Sequence, residues 1–526
     1  MQTMARSPER FRYLELICTV ARPAICALWF GCLAMSHPEL AQNTSQESGA
    51  AQIEQRIQPS KKSAPEVEQP QIDVAPGKPA ARMGDRSAFV LSAVVIQGAT
   101  AIPAADLAPI YKTYLAKKIS ELEIQEIAEA ITKAYRDAGY VFSQADVLPQ
   151  EIIGGVLTIV VTEGFVESLR FDGDAMAGRG IIDGYMAPVL AERPVRLKTI
   201  ERAMLLVNDL PGVSVADTSI TAGASPGGQV LNITLRVKQA DADLYLDNRG
   251  TPSAGRLQTW VGGAANDLSG PGSRLQIGVF TVPDKPEELV YAAGTWSQPV
   301  TDAGTIAELS VSGSVANAGA DLAESATESD SLRVKVSLRH PVLRRRLDSL
   351  WVVGEFDYYN LNEESFGTVN YEDRTRTARI GIEYFRPEIL NGSFFANAVY
   401  ARGVDVFGAS NPGNGELSRS DGRSSFDKVT LEIRRLQKVV GGFAILTQAK
   451  GQWANQPLLS GAEFSLGGSQ YGRAFDYGEL TGELGAGGLI EIRYTGKKPT
   501  DWLDSYDLYG FYDAGAVWQD IGGSQF

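Results

Sequence analysis

The chain has 526 residues, enough for about three domains, and its 44% hydrophobic and 21% charged content is that of a chain that folds. A formal net charge of −14, with no long Lys/Arg run, argues against a nucleic-acid partner, because neutralising phosphates needs a basic surface. The 54 glycines and 19 tyrosines lean toward strands and tight turns.

At the N-terminus, Arg6, Arg10, Arg12 and Arg22 precede an apolar stretch from Ala24 to Met35. That stretch is shorter than the roughly 20 residues a spanning helix needs, so residues 1–41 read as a secretory signal peptide. All three cysteines, Cys18, Cys26 and Cys32, fall within it, and its removal would leave His340 as the one histidine. A zinc site, a Cys/His pair and a Ser-His-Asp triad all need more than that. The expectation is therefore a protein that is not an enzyme, with no catalytic residue, no metal and no cofactor.

Residues 42–86 are rich in Gln, Ser, Pro and Lys with few aromatics, too polar to bury a core, and read as a disordered linker. A short helix over 49–57 within it is a candidate plug. From Phe89 the pattern predicts a strand (90–97), a helix opened by Pro103, and a second helix opened by Ser120 with Glu123 as a capping box. Leu122, Ile124, Ile127, Ala128 and Ile131 form the apolar stripe of that second helix. Gly139 ends it, and strands follow at 143–148 and 156–162. The order is β-α-α-β-β. It repeats after Phe165, with strands at 166–171, 214–222 and 230–238 and helices at 181–190 and 197–210.

Beyond Ala240 about thirteen segments of roughly ten residues alternate apolar and polar, the pattern of a transmembrane antiparallel β-barrel. They centre on Tyr245, Thr259, Ile277, Tyr291, Leu309, Val336, Val353, Ile380, Ala396, Leu431, Leu446, Ile490 and Phe511. Ile380 and Ile382 alternate with Arg379 and Glu383, and Leu431 and Ile433 with Glu432 and Arg434. One face suits lipid and the other water. Later connections alternate between long (316–330, 361–372, 405–423, 456–483) and short (267–271, 386–392, 437–441), which puts the long side outside the cell. Arg344, Arg345 and Arg346 fall in a short, periplasmic turn and read as solvated or touching lipid phosphates. His340 begins that turn and carries no catalytic case.

From about Phe89 to Trp518 the sequence resembles the outer-membrane transporters of two-partner secretion, the haemolysin secretion/activation proteins. Pro149-Gln150 and Glu163-Gly164 resemble signature positions of that family's first POTRA domain, and Pro211-Gly212 those of the second. Gly472-Arg473-Ala474-Phe475 resembles the superfamily pore-loop motif V-R-G-Y/F, with Ala474 in place of the Gly. Phe511-Tyr512-Asp513 resembles the F-x-D motif whose Asp receives that Arg. The resemblance implies two α+β POTRA domains (87–164 and 165–240) before an outer-membrane β-barrel (241–526), with the POTRA domains in the periplasm.

It further implies export of a secreted exoprotein whose N-terminal secretion region docks on the POTRA domains, without nucleotide. No G-x-x-x-x-G-K-[ST] loop stands in the sequence. The alternatives are an insertase of the outer-membrane assembly type and a truncated, non-functional transporter. The second arises because the family barrel has about 16 strands, and bacterial single-chain barrels have an even number, whereas thirteen are counted here and Phe526 lacks an alternating strand before it.

Overall fold

The computed structural model describes residues 89–174, 179–413, 415–500 and 503–519. The leader, the linker with its candidate plug helix, and Phe526 lie outside the described residues.

The first α+β unit contains strands β1 (Phe89–Val90) and β2 (Ala93–Gln97), helix α1 (Ala104–Lys112), β3 (Lys118–Ile119), α2 (Glu121–Asp137), β4 (Gln144–Asp146) and β5 (Val156–Thr162). β5 is central, parallel to β2 and antiparallel to β4. The capping box at α2 is present: Ser120 N donates to Glu123 Oε2 at 2.7 Å, and Ser120 Oγ accepts from Glu123 N. Ile127, Ile131 and Tyr135 on the inner face of α2 bury against Leu157 and Ile159 of β5. The expected first strand is split, because β1 leaves the main sheet to pair with the short β3 between the helices.

The second unit repeats the order with β6 (Phe165–Gly173), α3 (Arg179–Ala191), α4 (Leu197–Asn208), β7 (Val213–Ala222) and β8 (Gly228–Val237). Here β8 is central, between β6 and β7. Met186, Val189, Ile200, Met204 and Val207 of the helices close over Leu231 and Ile233 of β8.

Among the described residues that follow, 13 strands form one antiparallel sheet in sequence order. They are β9 (Ala240–Asp247), β10 (Gln258–Asn266), β11 (Arg274–Thr281), β12 (Leu289–Pro299), β13 (Ile306–Asn317), β14 (Thr327–Arg344), β15 (Ser349–Ser365), β16 (Thr368–Arg386), β17 (Gly392–Gly403), β18 (Asp427–Lys438), β19 (Phe443–Ala454), β22 (Leu484–Thr500) and β23 (Leu503–Trp518). Each segment centre expected from alternation falls in one of them. Two short strands, β20 (Phe464–Leu466) and β21 (Leu480–Gly482), pair with each other in the connection between β19 and β22. Among the described residues β9 and β23 are the two end strands of the sheet.

Alternation sorts the two faces as barrel physics requires. Ile380, Ile382, Leu431, Ile433, Ile490 and Ile492 are half exposed on the outside. On the inside Asp357 sits between Arg333 and Arg379 at 3.2 and 2.9 Å, and Arg339 meets Glu383 at 3.0 Å. Charges are tolerated inward, whereas an Arg facing the bilayer midplane costs about 2–4 kcal/mol.

One connection differs from expectation. The long loop expected at 361–372 is a turn at Phe366 and Gly367 between β15 and β16, of 17 and 19 residues. A tilted strand needs only about 9–11 residues to cross a bilayer, so this hairpin continues past the membrane on polar residues such as Asn360, Asn362, Glu363 and Glu364. Its sequence reads as loop because the lipid-facing half of the alternation is no longer needed there.

Candidate functional site

The 455–483 connection folds back against the inner face of the wall. Phe464, Leu466 and Tyr471 bury with Leu489 of β22, which seats the loop on an apolar patch before any charge is engaged. Gly472 then takes a φ of +82°, the left-handed turn a glycine adopts without strain. Phe475 N donates to Gly472 O at 2.9 Å and closes a tight turn around Arg473 and Ala474. Ala474 stays out of the left-handed region, so replacing the motif's Gly by Ala costs this turn nothing in φ.

Arg473 at the tip meets Asp513 in a two-pronged contact. Nε donates to Oδ2 at 2.9 Å and Nη2 to Oδ1 at 2.8 Å, and the backbone N of Arg473 adds a bond to Oδ2 at 3.1 Å. Nη1 reaches Glu491 Oε2 at 2.7 Å, and the guanidinium lies 3.6 Å over the ring of Phe511. The register explains the convergence: Leu489 faces Asp513 and Glu491 faces Phe511 across β22 and β23, so alternation brings Phe511, Asp513 and Glu491 to one lumenal patch. The side chains of Asp513 and Glu491 are 4% and 3% exposed. Forked, charge-assisted bonds of this kind are strong and directional, and stripping the cation from such a buried pair costs about 3–5 kcal/mol. Phe475 points away and is exposed.

Glu491 is a partner that the motif does not name; its signal is that it shares a strand face with Leu489, the residue opposite Asp513. Glu491 also accepts from Arg493 Nε at 2.6 Å.

The other singled-out positions sit in the α+β units. Gln150 extends the pairing of β5, its Nε2 donating to Thr158 O at 2.6 Å and its Oε1 accepting from Thr158 N at 2.8 Å, and Pro149 precedes it in the loop after β4. Glu163 accepts from Thr100 N and Ala101 N at 2.7 Å each and from the Tyr135 hydroxyl at 2.8 Å. Burial pushes its carboxyl up, but these donors together hold it below the ordinary carboxylate value. At Gly164 an added Cβ would lie 2.4 Å from the backbone of Phe142. Gly212, after Pro211, has a φ of +72°, and a Cβ there would lie 2.2 Å from Asn266 Nδ2 at the end of β10.

In the arginine turn at 344–346, Arg345 and Arg346 are exposed as expected, but Arg344 is not solvated. Arg344 forks onto Asp209 at the C-terminus of α4, Nε to Oδ2 at 2.8 Å and Nη2 to Oδ1 at 2.7 Å. Arg346 lies 3.9 Å from Glu201, and Arg202 of α4 donates to Ala303 O and Pro341 O. The neighbouring domain, not the local chain, supplies the environment of Arg344. Every one of these contacts falls on the short-turn side of the sheet, so the α+β units sit at the periplasmic end. His340 in the same region pairs its Nδ1 with Thr305 Oγ1 at 2.9 Å.

An inward-folded loop pinned by arginine to the wall of a transmembrane sheet, with α+β modules mounted on the short-turn end, defines an outer-membrane β-barrel transporter with periplasmic α+β modules. Residues 89–164 match the ShlB-type POTRA domain, and residues 227–525 match the haemolysin secretion/activation proteins ShlB/FhaC/HecB. The chain belongs to that haemolysin secretion/activation family, and it is an outer-membrane transporter of two-partner secretion that exports a partner protein.

Among curated relatives, the heme/hemopexin transporter protein HuxB of Haemophilus influenzae (strain 86-028NP) is 23% identical over 413 residues, covering 78% of this chain and 72% of the relative. The outer membrane transporter CdiB of Escherichia coli O6:K15:H31 is 22% identical, covering 96% and 87%. Of solved structures, CdiB from Escherichia coli superposes with a TM-score of 0.69 at 21% identity, over 86% of this chain and 84% of that one. CdiB from Acinetobacter baumannii gives 0.58 at 17% identity, over 87% and 85%.

Proposed function

We propose that the chain exports a secreted exoprotein, haemolysin-like or adhesin-like, whose N-terminal secretion region docks on two POTRA domains, residues 87–164 and 165–240. Residues 241–526 provide the barrel, seated in outer-membrane lipid by its outward aliphatic face. The edge strands of the POTRA sheets, β2 and β4 in the first and β6 and β7 in the second, offer backbone groups to an extended segment, which is how strand addition gains affinity. The 455–483 loop blocks the lumen at rest and withdraws as the partner threads. Folding of the partner outside draws it outward, with no nucleotide consumed.

The observation that carries this reading is the three-way hold on Arg473 by Asp513, Glu491 and the face of Phe511. A loop needed only to bridge two strands has no call for a buried, forked ion pair at its tip. Arg473→Ala should reduce release of the partner into the medium at least tenfold while the protein still reaches the outer membrane. Release at the normal level would remove the loop from the mechanism.

A further inference from the structure

The pore loop has a second arginine, and it comes from a different loop. Residues 415–426, in the connection between β17 and β18, lean over the root of the 455–483 connection. Arg423 N donates to Pro457 O at 3.0 Å, and Arg423 bridges Leu458. Ser460 N donates to Ser418 Oγ at 3.0 Å, while Ser418 N donates to the buried Asp373 at 3.1 Å. Leu458 and Leu459 are fully buried beneath this contact.

Arg419 projects from that loop into the neck, where the two legs of the pore loop pair as β20 and β21, with Phe464 opposite Gly482. Glu463 stands one residue before this ribbon and Glu483 one residue after it, so the two carboxylates face each other across the neck. Their side chains are 3% and 0% exposed. Arg419 Nη1 bonds both, at 3.4 Å to Glu463 Oε1 and more closely to Glu483 Oε1. Asp421 orients the guanidinium through Nε at 2.6 Å. Lys428 Nζ and Gln452 Nε2 donate to Ala462 O beside the neck. Two buried carboxylates this near each other repel unless a cation lies between them, and Arg419 supplies it.

We propose that Arg419 is a positioning residue that keeps the neck of the pore loop closed at the outer face, an anchor separate from the one Arg473 makes deeper in the lumen. The proposal rests on the reading that this loop blocks the channel. Opening then requires residues 418–423 to lift Arg419 out of the neck, after which Glu463 and Glu483 repel and spread the legs. The latch is bistable for that reason: engaged, one guanidinium joins both legs; disengaged, the same carboxylates push them apart.

Amide hydrogen exchange on the purified full chain in detergent micelles reads the neck directly, with β15 and β16 as internal control. Arg419→Ala should speed exchange in residues 464–466 and 480–482 at least tenfold and leave the control strands unchanged. Adding Glu463→Gln and Glu483→Gln to Arg419→Ala should restore slow exchange, because the repulsion is gone. Unchanged exchange in Arg419→Ala, or a triple variant as fast as the single one, would overturn the proposal, the latter because it would reduce Arg419 to packing.

Should Arg419→Ala fail to fold, Glu463→Gln alone decides: it keeps the Arg419 to Glu483 bond and should exchange no faster than wild type, and faster exchange overturns the latch. Planar-bilayer recordings separate the underlying reading. A raised resting conductance is expected in both Arg419→Ala and Arg473→Ala. An unchanged conductance in both would overturn the plugging role of the loop and the gate with it, whereas a rise in Arg473→Ala alone would overturn only the latch.

Discussion

The two ends of the barrel are held by arginine in different ways. At the periplasmic end Arg344 meets Asp209 one to one, and each carboxylate oxygen has its own donor. Around it, apolar and glycine contacts close the joint: Leu206 and Leu210 press on Gly304 and Gly272, where an added Cβ would lie 2.5 and 3.0 Å from them. At the outer end Arg419 pairs with Glu463, Glu483 and Asp421, and among the described residues Glu463 Oε2 and Glu483 Oε2 have no hydrogen-bond partner. A balanced pair in a packed joint makes a permanent mount. One cation shared among three carboxylates makes a contact that can be given up.

That contrast can be broken at its stronger end first. Arg344→Ala and Asp209→Ala should each cost the joint about 2 kcal/mol or more, since truncating one partner strands the other charge, and the double variant should be no worse than either single one. Amide exchange across 205–212 measures it; additive losses would mean the two side chains do not act as a pair. Gly212→Ala should be somewhat milder, at about 1–3 kcal/mol for a non-glycine residue held at positive φ, together with displacement of Asn266. Its signature is faster exchange at Lys238, whose N donates to Gly212 O at 2.7 Å, with the core of the second unit unaffected.

The outer end should instead respond to pH. Burial pushes Glu463 up to about 7, against the pull of Thr481 and Arg419 and with that of Glu483. A carboxyl raised above its ordinary 4.5 contributes stability that is complete below that value and is lost as pH rises through about 7. Protection at the neck, taken relative to the intrinsic exchange rate at each pH, should therefore be highest in mild acid and fall by pH 8, and Glu463→Gln should flatten that dependence. The groups facing Glu463 are Arg419 and Asp421 from one loop, Glu483 and Thr481 from the other, and Lys428 of β18 through Ala462 O. The periplasmic joint, held by the one-to-one pair of Arg344 and Asp209, should change least.

Much of the fold was legible because it rests on local periodicity. Alternation located all thirteen strands of the wall, and the capping box at Ser120 and Glu123 opened its helix where the sequence places it. The Arg473 to Asp513 contact was reachable from a motif plus alternation, since Tyr509, Phe511 and Asp513 share a face whatever the register. What could not be read was anything set by contact between distant segments. Arg344 looked like a solvated turn because its partner lies 135 residues away, on a helix of another domain. Arg419 carries no motif at all, and only the register of β20 against β21 brings Glu463 and Glu483 to a common neck. Glu491 is tied to the site only by strand pairing, which puts Leu489, two residues away, opposite Asp513.

In the proposed mechanism Arg473 and Asp513 act as one device holding the pore loop. Its most direct test is a double-mutant cycle in cells, reading partner released to the medium at matched amounts of transporter in the outer membrane. Arg473→Ala and Asp513→Ala should each reduce release at least tenfold, and the double variant should fall no further than the worse of the two. Losses that multiply, or near-normal release by either single variant, would contradict the account.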